Sequence, residues 1–204
     1  MDDSLMTPTS PLTWAFQLRP LPTETESGDQ CVAMPCPGGA LLSVIDGLGH
    51  GPEAALAARL AADTMLGHAD ADPSELITQC HVALRGTRGA AMLVVSLSFR
   101  DATFAWAGVG NVEGWHLRGS RREALVSRAG VVGYQISAPL RRRADLLAGD
   151  LFLLASDGIS PRFTDELGSG GDPETMAANI LAKHGRATDD ALILVARYEG
   201  APIP

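Results

Sequence analysis

The stretch Ser43-Val44-Ile45-Asp46-Gly47-Leu48-Gly49-His50-Gly51-Pro52 decides how the rest of the chain is read. An apolar run, Ala40 to Ile45, stops abruptly at a carboxylate. Three glycines and a histidine follow, and an alanine-rich segment begins at Glu53. The pattern predicts a buried strand that delivers Asp46 to a tight turn, with a helix leaving on the far side. Taken alone, such a turn suits a phosphate, a nucleotide or nothing.

Length and composition narrow the field. The 204 residues suffice for one domain with a full core, and 46% hydrophobic with 20% charged residues is ordinary for a soluble globular protein. A net charge of -8 argues against general nucleic-acid binding. Met1-Asp2-Asp3 opens acidic with no apolar stretch behind it, so no signal peptide is expected. The longest apolar run, Ala90 to Phe99, is too short to span a bilayer. Three cysteines, Cys31, Cys36 and Cys80, fit reduced thiols in a cytoplasmic protein, and Cys31/Cys36 lacks the second ligand pair of a zinc site.

Along the chain, residues 1–11 read as a loose tail and 12–199 as the folded domain. Strands are expected at 12–18, 31–35 and 40–46, the last two forming a hairpin. Helical spacing runs from Glu53 to Leu66, with Glu53, Arg59 and Asp63 on the polar side and Leu56, Leu60 and Met65 with the alanines. Asp72-Pro73-Ser74-Glu75 starts a second helix, Asp72 as N-cap, ending near Leu84. Strands are then expected near 90–100, 102–108, 111–118, 123–128, 131–136 and 151–155. A short helix follows Ile159, then a Gly/Ser-rich loop at 168–171, a helix from Asp172 to Gly185 and a last strand from Ala191 to Tyr198. Trp106 and Trp115 read as core. This order is α+β and layered, not alternating and parallel.

Acidic residues recur at the ends of apolar strands: Asp29 in Gly-Asp-Gln, Asp46 in Asp-Gly-Leu-Gly, Asp157 in Ser-Asp-Gly-Ile, and Asp189-Asp190. One such residue is ordinarily a turn or cap. Several converging at one sheet edge repel one another unless a cation lies between them, and all-oxygen donors select magnesium or manganese over zinc. The order Gly-Asp, Asp-Gly-x-Gly, Asp-Gly, Asp-Asp resembles the PPM (type 2C) metal-dependent serine/threonine phosphatases, and most nearly their SpoIIE-like branch. Asp46-Gly-Leu-Gly-His-Gly and Gln79 to Ala91 are similar to the stressosome-resetting members of that branch.

The resemblance implies an αββα four-layer sandwich of two central, mostly antiparallel sheets flanked by helix pairs. It implies two manganese or magnesium ions, with Asp46 bridging them, the Gly47 carbonyl binding one, and Asp157 and Asp189 completing the set. Asp29 would hold an ion or its water, and Asp190 would join the metal-binding residues or stand just behind them. Hydrolysis would proceed by in-line attack of a water activated between the ions. The implied substrates are phosphorylated stressosome or anti-sigma antagonist proteins, acted on by a monomer away from membranes. Leu48 stands where the eukaryotic enzymes carry a general-acid histidine. His50, two residues on, is therefore a candidate proton donor or simply a helix-start residue. Arg19 is the first arginine and a weak candidate for phosphate contact.

Other sites fit less well. Gly-x-Gly-x-x-Gly fails at Pro52, the sole lysine (Lys183) lies too late for a Walker loop, and no nucleophile elbow is present. A non-catalytic binding module of the same fold is the competing reading. Arg118, Arg121, Arg122, Arg128, Arg141, Arg142 and Arg143 face only Glu123 in their window. That window is either a solvated sheet edge or a docking surface for an acidic phosphoprotein.

Overall fold

The computed structural model describes residues 11–166 and 171–200. In order these form β1 (Leu12–Arg19), β2 (Asp29–Cys36), β3 (Gly39–Gly47), α1 (Pro52–Gly67), α2 (Pro73–Ala83), β4 (Ala90–Ser98), β5 (Thr103–Val109) and β6 (Glu113–Arg118). There follow β7 (Arg121–Ala124), β8 (Gly130–Val131), β9 (Gln135–Ile136), β10 (Arg142–Asp145), β11 (Leu151–Ala155), a 3₁₀ turn (Pro161–Glu166), α3 (Pro173–His184) and β12 (Ala191–Tyr198). Two five-stranded antiparallel sheets, β1-β12-β11-β6-β7 and β10-β5-β4-β3-β2, stack face to face.

Alternation along the central strands sorts side chains between layers. Leu42, Val44, Leu93, Val95, Phe152, Leu154, Leu192 and Leu194 fill the space between the sheets. Leu41, Ile45, Met92 and Val94 turn outward under α1 and α2, and Leu153, Ile193 and Val195 turn outward under α3. Both faces of β3, β4, β11 and β12 are thus covered, which is why these strands read as unbroken apolar runs. The result is the four-layer α+β sandwich. Its second outer layer differs from expectation, holding α3 and a 3₁₀ turn where a helix pair was implied.

Other differences have physical causes. Leu56 is 48% exposed, not core. At 100° per residue it falls inside the arc of Glu53, Arg59 and Asp63, while Ala54, Ala57, Ala58, Ala61 and Met65 make the buried stripe. Strand 123–128 ends at Ala124, because the chain then crosses to β5, where the Arg128 amide donates to the Gly108 carbonyl and the Gly110 amide to the Arg128 carbonyl. The strand expected at 131–136 is a small hairpin, β8–β9, turning between Val131 and Gln135. Trp106 is buried and Trp115 half-buried. The expected tail, apart from Pro11, and the Gly/Ser-rich loop, apart from Gly171, lie outside the described residues.

The arginine window does not form one free patch. Arg118 binds Asp150, Arg121 pairs with Glu123, Arg122 reaches the Thr164 carbonyl, Arg141 pairs with Asp72 and Arg143 reaches Thr103. Most of this charge is spent tying sheet edges to their neighbours. Cys31 packs between the sheets and Cys36 under the helices, on opposite faces of β2, so they cannot share an ion. No helix among the described residues is long and apolar enough to cross a membrane.

Candidate active site

The site begins at the β2–β3 hairpin. Its register sets Asp29 directly opposite Asp46, two like charges where a sheet ordinarily avoids them. Asp46 ends the apolar run of β3, and β11 delivers Asp157 in the same way. Asp189 arrives on the loop before β12. Asp46, Asp157 and Asp189 line one open cleft of about 440 Å³ with Leu48, Gly49, His50, Asn111, Gly130 and Val131.

The carboxylates are poised against one another. Asp29 is buried, which raises its pKa to about 7; the Ser156 hydroxyl, donating to Oδ2 at 2.6 Å, opposes this, and Asp190, Asp157 and Asp189 add to it. Burial, then repulsion from Asp29, Asp157, Asp189 and Asp190, lifts Asp46 to about 9. Asp157 is also raised, by burial and then Asp189, against Arg186 and a hydrogen bond with Asp46. Among the described residues, no three Asp, Glu, His or Cys side chains close tightly enough to enclose an ion as they stand. The donor set still fits a hard divalent cation: it is all oxygen, crowded and partly buried, and its mutual repulsion is what such an ion relieves.

Not every expected residue faces the cleft. Asp190 is buried, and its Oδ1 and Oδ2 accept the Leu21 and Gly28 amides at 2.8 and 2.9 Å. It clamps the loop between β1 and β2 at both ends. Arg19 donates to the Arg186 carbonyl at 2.8 Å and so supports the loop before Asp189. Gly47 has a packing reason independent of any ion, since a Cβ there would stand 2.2 Å from the Ala54 carbonyl oxygen.

Several residues escaped the sequence reading. Asn111 donates to Asp157 Oδ2 at 2.7 Å and Arg186 donates to the Asp157 carbonyl at 2.8 Å. Ser156 braces Asp29 from the neighbouring sheet and accepts the Leu192 amide at 2.9 Å. Arg88, paired with Glu53, leans over Gly49, where a Cβ would lie 2.6 Å from its Nη1. Ser156 had a signal in its place beside Asp157, and Arg88 lies within the segment Gln79 to Ala91 already singled out; Asn111 sits in an unremarkable turn after β5.

Residues 37–199, most of the chain, match the family Stage II sporulation protein E (SpoIIE). The chain belongs to the SpoIIE family. This SpoIIE-family chain is 25% identical to the phosphoserine phosphatase RsbX of Bacillus subtilis (strain 168) over 154 residues, covering 74% of the chain and 76% of RsbX. The structure of RsbX in complex with magnesium superposes with a TM-score of 0.83 at 20% identity, covering 91% of this chain and 94% of that one. A protein solved in work on the bacterial stressosome as a modular system controlling secondary messenger signalling gives 0.83 at 31% identity, covering 91% and 99%. The catalytic domain of the serine/threonine phosphatase PstP, in complex with two manganese ions, gives 0.69 at 18% identity, covering 91% and 97%. The family is one of type 2C-like phosphatases, and the four-layer fold is theirs.

Proposed function

We propose that the chain is a magnesium- or manganese-dependent phosphoserine/phosphothreonine protein phosphatase. The observation that carries this reading is the convergence of Asp46, Asp157 and Asp189 on one cleft, with Asp29 opposed to Asp46 beneath it. The likeness to RsbX and to a stressosome protein supports phosphorylated stressosome or anti-sigma antagonist proteins as substrates, met in the bacterial cytoplasm.

Asp29, Asp46, the Gly47 carbonyl, Asp157 and Asp189 would hold two ions. When bound, these ions supply Lewis acidity toward water and phosphoryl oxygens. The chain supplies orientation. Asn111 and Arg186 fix Asp157, Ser156 fixes Asp29, and Asp190 fixes the loop over the site. Arg88 and Arg186 place positive charge near the cleft, where a phosphoryl group approaches four carboxylates. His50 donates the proton that the departing seryl or threonyl oxygen needs.

The test is phosphate release from a phosphoseryl peptide and from p-nitrophenyl phosphate, with manganese or with chelator. Hydrolysis should require the cation, and Asp46→Asn or Asp157→Asn should lower it at least about 100-fold. Activity surviving both substitutions rules out the metal mechanism. A folded wild-type chain inactive under every condition makes it the binding module.

A further inference from the structure

The loop between β1 and β2 is held at several points yet carries no expected catalytic residue. Asp190 binds both its ends, Arg59 of α1 binds Glu26 at 2.8 Å, and the Glu24 amide donates to the Leu21 carbonyl at 2.8 Å. So fixed, the loop presents Glu24 to His50, with Oε1 2.6 Å from Nδ1. We propose that Glu24 is a positioning residue, which holds the His50 imidazole by Nδ1 and thereby turns Nε2 toward the cleft as the proton-donating atom.

Burial shows which partner holds which. The Glu24 side chain is 23% exposed and that of His50 57%, so the anchor belongs to the fold and the histidine to the cleft. Gly51, the N-cap of α1, has no side chain to cap the helix, and a Cβ there would stand 2.8 Å from Glu24 Oε2. The glycine opens room for the carboxylate beside a helix N-terminus, where negative charge is favoured. An imidazole bound through one nitrogen has only the other to offer a substrate. His50 lines the cleft with Asp46, Asn111, Asp157 and Asp189.

This inference rests on the phosphatase reading and deepens it. As a water oxygen bonds to phosphorus, the bond from phosphorus to the seryl oxygen breaks and its electron pair stays on that oxygen. The oxygen takes the proton from Nε2–H of the His50 imidazolium, giving a free hydroxyl and inorganic phosphate. The water's own proton passes to solvent. His50 remains neutral with Nδ1–H on Glu24, and solvent reprotonates Nε2.

Leaving-group dependence separates positioning from scaffolding. p-Nitrophenolate departs without needing a proton, whereas a seryl oxygen needs one. In the full chain with manganese, Glu24→Ala should lower kcat on a phosphoseryl peptide about tenfold or more beyond any loss on p-nitrophenyl phosphate, with KM little changed. The isosteric Glu24→Gln, which still accepts from Nδ1–H but lacks the charge, should fall between. Equal losses on both substrates, or none on the peptide, overturn the proposal. Should the wild type hydrolyse neither substrate, the phosphatase reading falls separately. The tautomer of His50, read from ¹H–¹⁵N correlations, then decides: Nδ1-protonated in the wild type and mixed in Glu24→Ala supports the positioning contact, and unchanged overturns it.

Discussion

Gly47 and Gly158 each follow a cleft aspartate, and at each a second stretch of backbone occupies the space of a side chain. A Cβ on Gly47 would lie 2.2 Å from the Ala54 carbonyl oxygen at the start of α1. On Gly158 it would lie 1.8 Å from the Asp190 carbonyl oxygen. Neither neighbour is a side-chain end able to swing aside. The Asp-Gly pairs are thus where the two carboxylate-bearing turns pack against the chain that completes the site. Gly47→Ala should cost about 1–3 kcal/mol, as overpacking does, and move Asp46 relative to Asp157. Urea unfolding measures the first effect. A variant as stable as the wild type contradicts the packing argument, and the glycine would then answer to an ion alone.

At the scale of elements, α1 shows what periodicity reveals and where it misleads. Its buried stripe is almost wholly alanine, which lets the helix lie close on β2 and β3 and bring its N-terminus beside Asp46. Ala58→Leu should therefore cost about 1–3 kcal/mol by thermal or urea unfolding, whereas Leu56→Gln should stay within about 0.5 kcal/mol. The reverse order would place Leu56 back in the core. Long apolar strands and capped helices were legible because burial on both faces and an Asp-Pro start leave unambiguous marks. Asp72 does accept the Ser74 amide at the N-cap, as its position foretold. β10 left no mark, since Arg142-Arg143-Ala144-Asp145 is a charged edge strand whose pairing with β5 is a matter of tertiary contact. The β8–β9 hairpin was read as one strand because its turn, with Gly133 at φ 96°, sits among residues of strand-like type. In the site, the acids were legible from their places at strand ends. Asn111 and Arg186, which hold Asp157, and Glu24, which meets His50, were not, because each comes from a loop distant in sequence.

Across the whole molecule, the two ends of β11 carry carboxylates in opposite conditions. Asp150 precedes the strand, fully buried. Burial would raise its pKa, but a two-pronged Arg118 guanidinium, His116 and the Leu147 amide outweigh that and hold it well below the usual carboxylate range. Asp157 follows the strand among other acids, with Asp29 raised to about 7 and Asp46 to about 9. The signs of their linkage differ. Asp150 stabilises the fold above its unfolded pKa of about 4, and that contribution is lost as pH falls through its lower folded value. Asp29 and Asp46 bind protons more tightly folded than unfolded, so their contribution is complete below about pH 4 and lost as pH rises through about 7 and 9. Without divalent cation, the thermal midpoint should fall between about pH 5 and about pH 8.5, where many proteins hold a plateau. Magnesium or manganese binds the ionised carboxylates, so it should raise the midpoint more at the higher pH. Asp46→Asn should remove most of that slope and much of the response to cation. Thermal unfolding with chelator and with each ion measures all three. A midpoint that is flat or rising with pH in chelator would show that these carboxylates do not oppose one another, and the case for a cation between them would lose its physical basis.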